Sequence, residues 1–187
     1  MSTDADRWER IPPGPWPTVL IDPPWPQQVI GKFRRRHACP RAMPYPTLTV
    51  PQIASLPVPD LSGPGTHLWL WTTNAHLGAG LDLLARWGFR YMAPITWVKP
   101  SGFGAWWIHR TQTLLFAYRP PCRFMSKHHP TVIMAAATRH SRKPPAAYDL
   151  IEAVSPGPRL ELFARPPVRP GWAAWGDEIE QPPTPNP

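Results

Sequence analysis

Residues 22–25 read Asp-Pro-Pro-Trp and directly follow the apolar run Thr18–Ile21. A strand that stops at an acid and two prolines places a carboxylate at its carboxyl end, on a backbone that proline keeps rigid. We expect the Pro23 carbonyl to have no sheet partner, so it could accept a hydrogen bond beside the Asp22 carboxylate. Two neighbouring acceptors suit an exocyclic NH2 group, and Trp25 offers a flat face for stacking. The four residues therefore point to methylation of a nucleobase amine.

Chance is the alternative explanation for this tetrapeptide. The chain has 30 prolines and 11 tryptophans in 187 residues, so a short motif of these types can arise from composition alone. The strand pattern that precedes it favours a functional interpretation.

Composition limits the class of protein. With 42% hydrophobic and 17% charged residues, the chain can form one folded domain with a sizeable core. The net charge of +8 favours a polyanionic partner such as nucleic acid, although an arginine-rich coding bias would produce the same balance. Two cysteines provide no disulfide framework, and neither a signal peptide nor a membrane-length apolar run is evident. We expect a cytoplasmic protein that does not associate with membranes.

The histidines do not predict a metal site. Cys122, His128, His129 and His140 lie within one stretch, but their spacing matches no standard zinc pattern. A solvated loop with scattered histidines is the better interpretation.

The elements that would position Asp22 alternate along the chain. Residues 1–17 form a proline-rich lead-in, residues 18–178 a single domain, and residues 179–187 a disordered tail with four prolines. Within the domain, strands are predicted at 18–22, 67–73, 93–98, 112–118, 159–164 and 172–175. Helices are predicted at 49–55, 76–87 and 144–154. Alternation of this kind predicts an α/β fold whose largely parallel sheet has helices on both faces and binds ligands beyond the strands' carboxyl ends.

Residues 26–46 form a long irregular segment after the tetrapeptide. It carries basic groups and no acid: Lys32, Arg34, Arg35, Arg36, His37 and Arg41. Beside a nucleobase pocket, such a loop is expected to contact phosphates. A solvated loop without a specific role is the alternative.

Further stretches follow the tetrapeptide in a fixed order. They are Tyr45-Pro46-Thr47, His67 to Asn74, Ile95 to Lys99, His140 to Pro144, Ala153 to Gly157, Arg159 to Arg165, and Trp172 with Trp175 to Glu178. In this order the chain resembles the MT-A70 family of S-adenosylmethionine-dependent adenine N6-methyltransferases, in its short prokaryotic or phage form. The resemblance runs from about Thr18 to Glu178. It implies a Rossmann-like methyltransferase domain whose catalytic half precedes its cofactor half.

The resemblance also implies roles in the catalytic half. Asp22 matches the catalytic aspartate, and Pro23 matches the proline whose carbonyl accepts from the adenine amine. Pro24 completes the motif, and Trp25 matches the aromatic residue that lines the base pocket. Tyr45 matches a tyrosine of the active-site loop. The charge of the loop, rather than the resemblance, assigns Lys32, Arg34, Arg35 and Arg36 to substrate phosphates.

In the cofactor half, the resemblance implies contacts with S-adenosylmethionine. Lys143 matches a basic residue near the cofactor's carboxylate, and Asp22 also lies near its methionine amine. Arg165 matches a residue at the ribose, while Asp177 and Glu178 occupy positions that bind ribose hydroxyls.

The chain departs from the family pattern at three positions. Pro167 and Val168 replace polar residues found in some relatives, which makes that wall more apolar, and Gln112 stands where a glutamate is usual. Without the resemblance, residues 161–163 could be only a core strand and Lys143 only a charge at a helix end.

The predicted activity is transfer of a methyl group to adenine N6, with DNA slightly favoured over RNA. A catalytically silent nucleic-acid-binding partner subunit, an amine methyltransferase for protein or small molecules, and a proline-rich interaction protein are the alternatives. A homodimer or a protein partner stays open, because Trp106-Trp107 could be an interface or core.

Overall fold

A computed structural model describes residues 8–26, 46–103, 106–137 and 142–179. This part of the chain forms one sheet of seven strands in the order β5-β3-β4-β2-β1-β6-β7. The strands are β1 (Thr18–Ile21), β2 (His67–Thr72), β3 (Arg90–Phe103), β4 (His109–Tyr118), β5 (Val132–Met134), β6 (Arg159–Leu162) and β7 (Trp172–Trp175). Within the sheet, β4 runs antiparallel to β2 and β3, and the other neighbouring pairs are parallel. The predicted α/β class with a largely parallel sheet is confirmed.

The central strands have apolar residues on both faces because both faces are covered. All four residues of β1 and all six of β2 are buried. Continuous burial of this kind is typical of strands between two helical layers.

In the described part of the chain, three α-helices cover the sheet: α1 (Val50–Ala54), α2 (Leu77–Arg86) and α3 (Pro145–Val154). Thr49 and Gln52 form a capping box that starts α1, and Pro145 occupies the first turn of α3, where proline is tolerated. Helices α1 and α2 pack in one apolar cluster and α3 in the other, on opposite faces of β1 and β2. The predicted helices on both faces are therefore confirmed.

The sequence prediction missed one strand and shortened two others. Strand β5 has three residues, too few to produce a periodic signal. Strands β3 and β4 extend beyond their predicted ends to form a long hairpin that pairs as far as Phe103 and His109.

Part of the predicted lead-in packs on the core. Trp8 is buried, and its ring lies 5.5 Å from that of Trp175 and 6.4 Å from that of Phe163. Of the predicted tail, Ile179 alone belongs to the described residues, and its N–H donates to the Gly176 carbonyl.

Across the described ranges, every helix is too short or too polar to cross a membrane.

Candidate active site

The carboxyl ends of three parallel strands meet at one edge of the sheet. Ile21 pairs with Leu162 across β1 and β6, and Leu162 pairs with Trp175 across β6 and β7. The residues that follow these strands therefore lie side by side. The Asp22 N–H donates to the Leu162 carbonyl at 3.4 Å, which fixes the start of the tetrapeptide against β6.

Asp22 forms an ion pair with Lys143. The Lys143 Nζ atom lies 2.7 Å from Asp22 Oδ2, although the residues are 121 positions apart. The Lys143 side chain is 9% exposed and that of Asp22 is 26% exposed. Lys143 is held immediately before α3, with its ammonium 5.3 Å from the centre of the Trp71 ring. The pair thus places two opposite charges at the edge of the sheet, one of them still accessible.

The backbone of the tetrapeptide is more fully hydrogen-bonded than the sequence predicts. The Pro23 carbonyl accepts the Trp25 N–H at 2.8 Å, and the Pro24 carbonyl accepts the Leu48 N–H at 2.9 Å. Trp25 is not part of a strand, so the Pro23 carbonyl has no sheet partner, although the turn itself occupies one of its acceptor directions. A carbonyl has two lone pairs, so one acceptor direction of Pro23 is still available to a ligand.

The Trp25 ring is not open on both faces, because another side chain packs against one of them. Its indole N–H donates to the Trp71 carbonyl at 2.9 Å, and its ring stacks on His76 at 5.1 Å with an angle of 17°. Burial lowers the pKa of His76, which favours the neutral ring in this stack. Sequence reasoning did not select His76, and a histidine at the end of a strand-to-helix connection carries no local signal for such a contact.

Two adjoining cavities open at this edge. The first, of about 420 Å³, and the second, of about 310 Å³, share the lining residues Asp22, Lys143, Phe163 and Arg165. Both volumes are of the size found for small-molecule sites. The ion pair thus stands between two compartments.

The first cavity contains a buried acid that sequence reasoning did not assign to the site. Glu161 lies on β6 and is 7% exposed, and the Tyr148 hydroxyl on α3 donates to its Oε1 at 2.8 Å. Burial raises the pKa of Glu161 to about 7, and the nearby Asp22 charge adds to this, whereas the Tyr148 hydrogen bond opposes it. Burial and the Glu161 charge also raise the pKa of the Tyr148 hydroxyl. The signal in the sequence that could have identified Glu161 is an acidic residue within the otherwise apolar end of a strand.

The outer wall of the first cavity is the connection between β6 and β7. Pro167 and Val168 line it, as the sequence predicted for an apolar wall. Arg169 fixes this connection to α3 through Glu152 at 2.6 Å, and the Trp172 indole N–H donates to the same carboxylate at 2.8 Å. The hydrogen bond from Arg169 lowers the pKa of Glu152. The wall is therefore tied to the helix that follows Lys143.

The second cavity contains the acidic pair that follows β7. Asp177 and Glu178 line it, and Arg165 Nε lies 3.7 Å from Glu178 Oε1. Gly176 precedes them where a Cβ would lie 2.6 Å from the Ala164 carbonyl oxygen, so glycine permits this close approach. The structure thus brings together Asp22, Lys143, Arg165, Asp177 and Glu178.

Several predicted substrate residues lie outside the described residues: Tyr45, Lys32, Arg34, Arg35 and Arg36. The segment that contains them begins after Pro26 and ends before Pro46, and Pro46 lines the second cavity together with Gln112. Among the described residues, no group of three histidine, cysteine or acidic side chains could hold a metal ion.

Comparison with known proteins gives consistent matches over the same part of the chain. The family described as MT-A70 matches residues 16–178. The N(6)-adenosine-methyltransferase catalytic subunit METTL3 of Homo sapiens is 31% identical over 179 residues, which cover 89% of this chain and 29% of that protein. The corresponding subunit of Danio rerio is also 31% identical over 179 residues, with 89% and 28% covered. The N(6)-adenine-specific methyltransferase METTL4 of Homo sapiens is 28% identical over 183 residues, with 86% and 37% covered. The matched part of the chain thus spans 28% to 37% of the length of these relatives.

Proposed function

Because the chain belongs to the MT-A70 family, we propose that it is an S-adenosylmethionine-dependent methyltransferase that modifies N6 of adenine in nucleic acid. The observation that carries this proposal is the Asp22–Lys143 ion pair, which separates two adjoining cavities at the carboxyl edge of the sheet. A group-transfer enzyme must bring its donor and its acceptor together, and Asp22 and Lys143 lie where the two cavities meet.

The residues around the ion pair fit the cofactor. An ammonium and a carboxylate 2.7 Å apart suit the zwitterionic end of an amino acid. Asp177 and Glu178, in the second cavity, supply carboxylates that can accept from ribose hydroxyls, and Phe163 with Val168 supplies apolar surface for the cofactor's base in the first. The cofactor would therefore extend along both cavities, past the ion pair. When bound, S-adenosylmethionine would supply an activated methyl group.

The chain's own contribution would be to orient and deprotonate the acceptor amine. The lone pair of an adenine amine is delocalised into the ring, so the amine is a weak nucleophile. Hydrogen bonds from its two N–H groups to Asp22 and to the remaining acceptor direction of Pro23 would localise that lone pair. Holding the nitrogen in line at the shared wall supplies rate by orientation, and the carboxylate can take up the proton that the nitrogen loses.

The substrate side favours a nucleic acid with an accessible adenine. A paired base cannot reach a recessed carboxylate, so the adenine would enter from a single strand or after flipping. Trp25 lines the second cavity, where it could contact the substrate adenine. The net charge of +8 favours a polyanion, and the basic segment 26–46 would contact its phosphates. We propose DNA as slightly favoured over RNA.

Transfer of labelled methyl to matched single- and double-stranded DNA and RNA, followed by mass spectrometry of the nucleosides, tests this function. N6-methyladenine in at least one substrate is expected. Asp22→Ala should abolish transfer in a protein that is still folded, whereas Asp60→Ala, which removes an exposed acid outside the site, should leave transfer unchanged. Full activity of Asp22→Ala would contradict the assignment.

The methyl-transfer assay, combined with calorimetry of cofactor binding, separates two alternative functions from the proposed one. A silent nucleic-acid-binding subunit would bind oligonucleotides without cofactor binding in calorimetry. An amine methyltransferase for protein or small molecules would bind the cofactor but modify none of the four nucleic acids.

A further inference from the structure

The β3–β4 hairpin ends in a group of large apolar side chains that project into solvent. Trp106 is 79% exposed, Trp107 78% and Ile108 62%. The alternative that this tryptophan pair belongs to the core is therefore wrong. We call these three residues the tryptophan arm. Exposed aromatic side chains in succession are typical of a surface that binds a partner.

The base of the hairpin belongs to the active-site edge. The Asn74 amide, which follows β2, donates to Thr111 Oγ1 on β4 at 3.2 Å. The neighbours of these residues, Thr73 and Gln112, both line the second cavity. At about 3.4 Å per residue, the five residues from Gln112 to Trp107 span at most about 17 Å. The tryptophan arm thus lies at the same edge of the sheet as the second cavity, which is the one proposed for the substrate base.

The charge of this half of the sheet identifies the kind of partner. Residues 83–148 include β3, β4 and β5 and contain no aspartate or glutamate. The same stretch contains ten basic residues: Arg86, Arg90, Lys99, Arg110, Arg119, Arg123, Lys127, Arg139, Arg142 and Lys143. Three of them, Arg90, Lys99 and Arg110, lie on the strands of the hairpin itself, and Arg110 Nε donates to the Lys99 carbonyl at 2.8 Å. Such a surface attracts a polyanion and repels a basic protein.

We propose that the tryptophan arm is a stacking platform for unpaired bases of the strand whose adenine enters the active site. Aromatic side chains among cations are the combination that binds single strands without sequence preference. This inference rests on the proposed function, since it concerns the same substrate. At the 3.4 Å spacing of stacked bases, about 17 Å corresponds to about five nucleotides, and fewer when the strand is extended. The arm therefore contacts flanking nucleotides and not the target base.

The test compares binding of labelled single-stranded oligonucleotides by fluorescence anisotropy, with DNA and RNA in separate arms. The double variant W106A/W107A should bind oligonucleotides of about 12 nucleotides at least tenfold more weakly, because one base stacked on one ring contributes about 5- to 150-fold. W106F/W107F keeps aromatic rings and should retain most of the affinity. Tyr91→Ala is the matched control, because Tyr91 is an aromatic residue of β3, 44% exposed and near the end of that strand farthest from the arm. The oligonucleotide affinity of this control should lie within about twofold of that of the unsubstituted protein.

Length dependence makes the test specific. The double alanine variant should methylate an oligonucleotide of about three nucleotides, with the adenine at its centre, as well as the unsubstituted protein does. The single nucleotide on each side of the adenine is too short to cover the span of up to about 17 Å to the arm. Cofactor affinity by calorimetry should also be unchanged. A loss of transfer on the short and long substrates alike would show that the arm supports the fold of the site, and would overturn the proposal.

Two further outcomes would also overturn it. One is an unchanged oligonucleotide affinity in W106A/W107A. The other is a dimer in analytical ultracentrifugation that the double variant converts to a monomer, which would make the arm an interface between copies of this chain. Arm-dependent binding without any methyl transfer would leave the arm in place and reject the proposed function. Methyl transfer to nucleic acid, together with an unchanged oligonucleotide affinity in W106A/W107A, would reject the role of the arm and leave the proposed function in place.

Discussion

Replacing Glu161 by glutamine should change how stability depends on pH. Glu161 is 7% exposed, and its pKa rises from 4.5 to about 7 on folding. In the window between these values the folded protein binds more protons than the unfolded chain, so the free energy of unfolding falls as pH rises. A shift of about 2.5 units corresponds to about 3 kcal/mol, fully present below pH 4.5 and lost above about pH 7. Glutamine cannot ionise and should remove this loss.

A second buried group has the opposite effect, so the comparison must be made between variants. Burial lowers the pKa of His67 to about 4, and the unfolded chain therefore binds more protons between about pH 4 and 6.5. The His67 contribution therefore raises the free energy of unfolding as pH increases, over nearly the same pH range in which the Glu161 contribution lowers it. The unchanged chain should show a shallow profile, whereas Glu161→Gln should gain stability as pH rises.

Urea unfolding from pH 4.5 to 8 measures the difference. We expect Glu161→Gln to gain about 3 kcal/mol relative to the unchanged chain across this range, equivalent to about 6–12 °C in Tm for a chain of this length. Tyr148→Phe provides the matched variant, because it removes the hydrogen bond that lowers the pKa of Glu161. Its profile should shift to higher pH. Parallel profiles for Glu161→Gln and the unchanged chain would refute the reasoning.

Two other substitutions test the site. Lys143→Ala removes the ammonium that lies 2.7 Å from Asp22 and should lower cofactor affinity at least about tenfold in calorimetry, whereas Lys143→Arg should lose less because it keeps the charge; equal losses in both variants would contradict a charge-based role. Gly176→Ala should destabilise the fold by about 1–3 kcal/mol in urea unfolding, because its Cβ would lie 2.6 Å from the Ala164 carbonyl oxygen. Gly78→Ala is the control for this change, since its Cβ meets nothing within 4 Å and alanine favours the helix by about 0.5–1 kcal/mol; similar results at both glycines would rule out the close contact.

The sequence predicted elements whose signal is local. Strand β1 and the turn at Asp22 were predicted because an apolar run, an acid and prolines are neighbours in the chain. The α/β class also followed from local patterns, since each strand and helix carries its own periodicity. Strand β5 was missed because three residues do not show a period.

Contacts between distant residues could not be predicted from local signals. The Asp22–Lys143 pair joins positions 121 residues apart, and no spacing rule relates them. The stack of His76 on Trp25 and the bond to the Pro23 carbonyl depend on how the turn after β1 packs. The sequence places Glu161 on a strand, but only the packing of α3 shows that its side chain lines a cavity.

The central position of β1 has a consequence for how the chain is made. Strand β1 lies between β2 and β6, and 137 residues separate Asp22 from Arg159, where β6 begins. At about 5–20 residues per second, about 7–27 s of synthesis pass before the second neighbour of β1 exists. During that time the edge of β1 that will pair with β6 is open to mispairing with other strands. Strand β1, which leads directly into Asp22, is thus among the first parts of the sheet to leave the ribosome, and its second neighbour β6 is among the last.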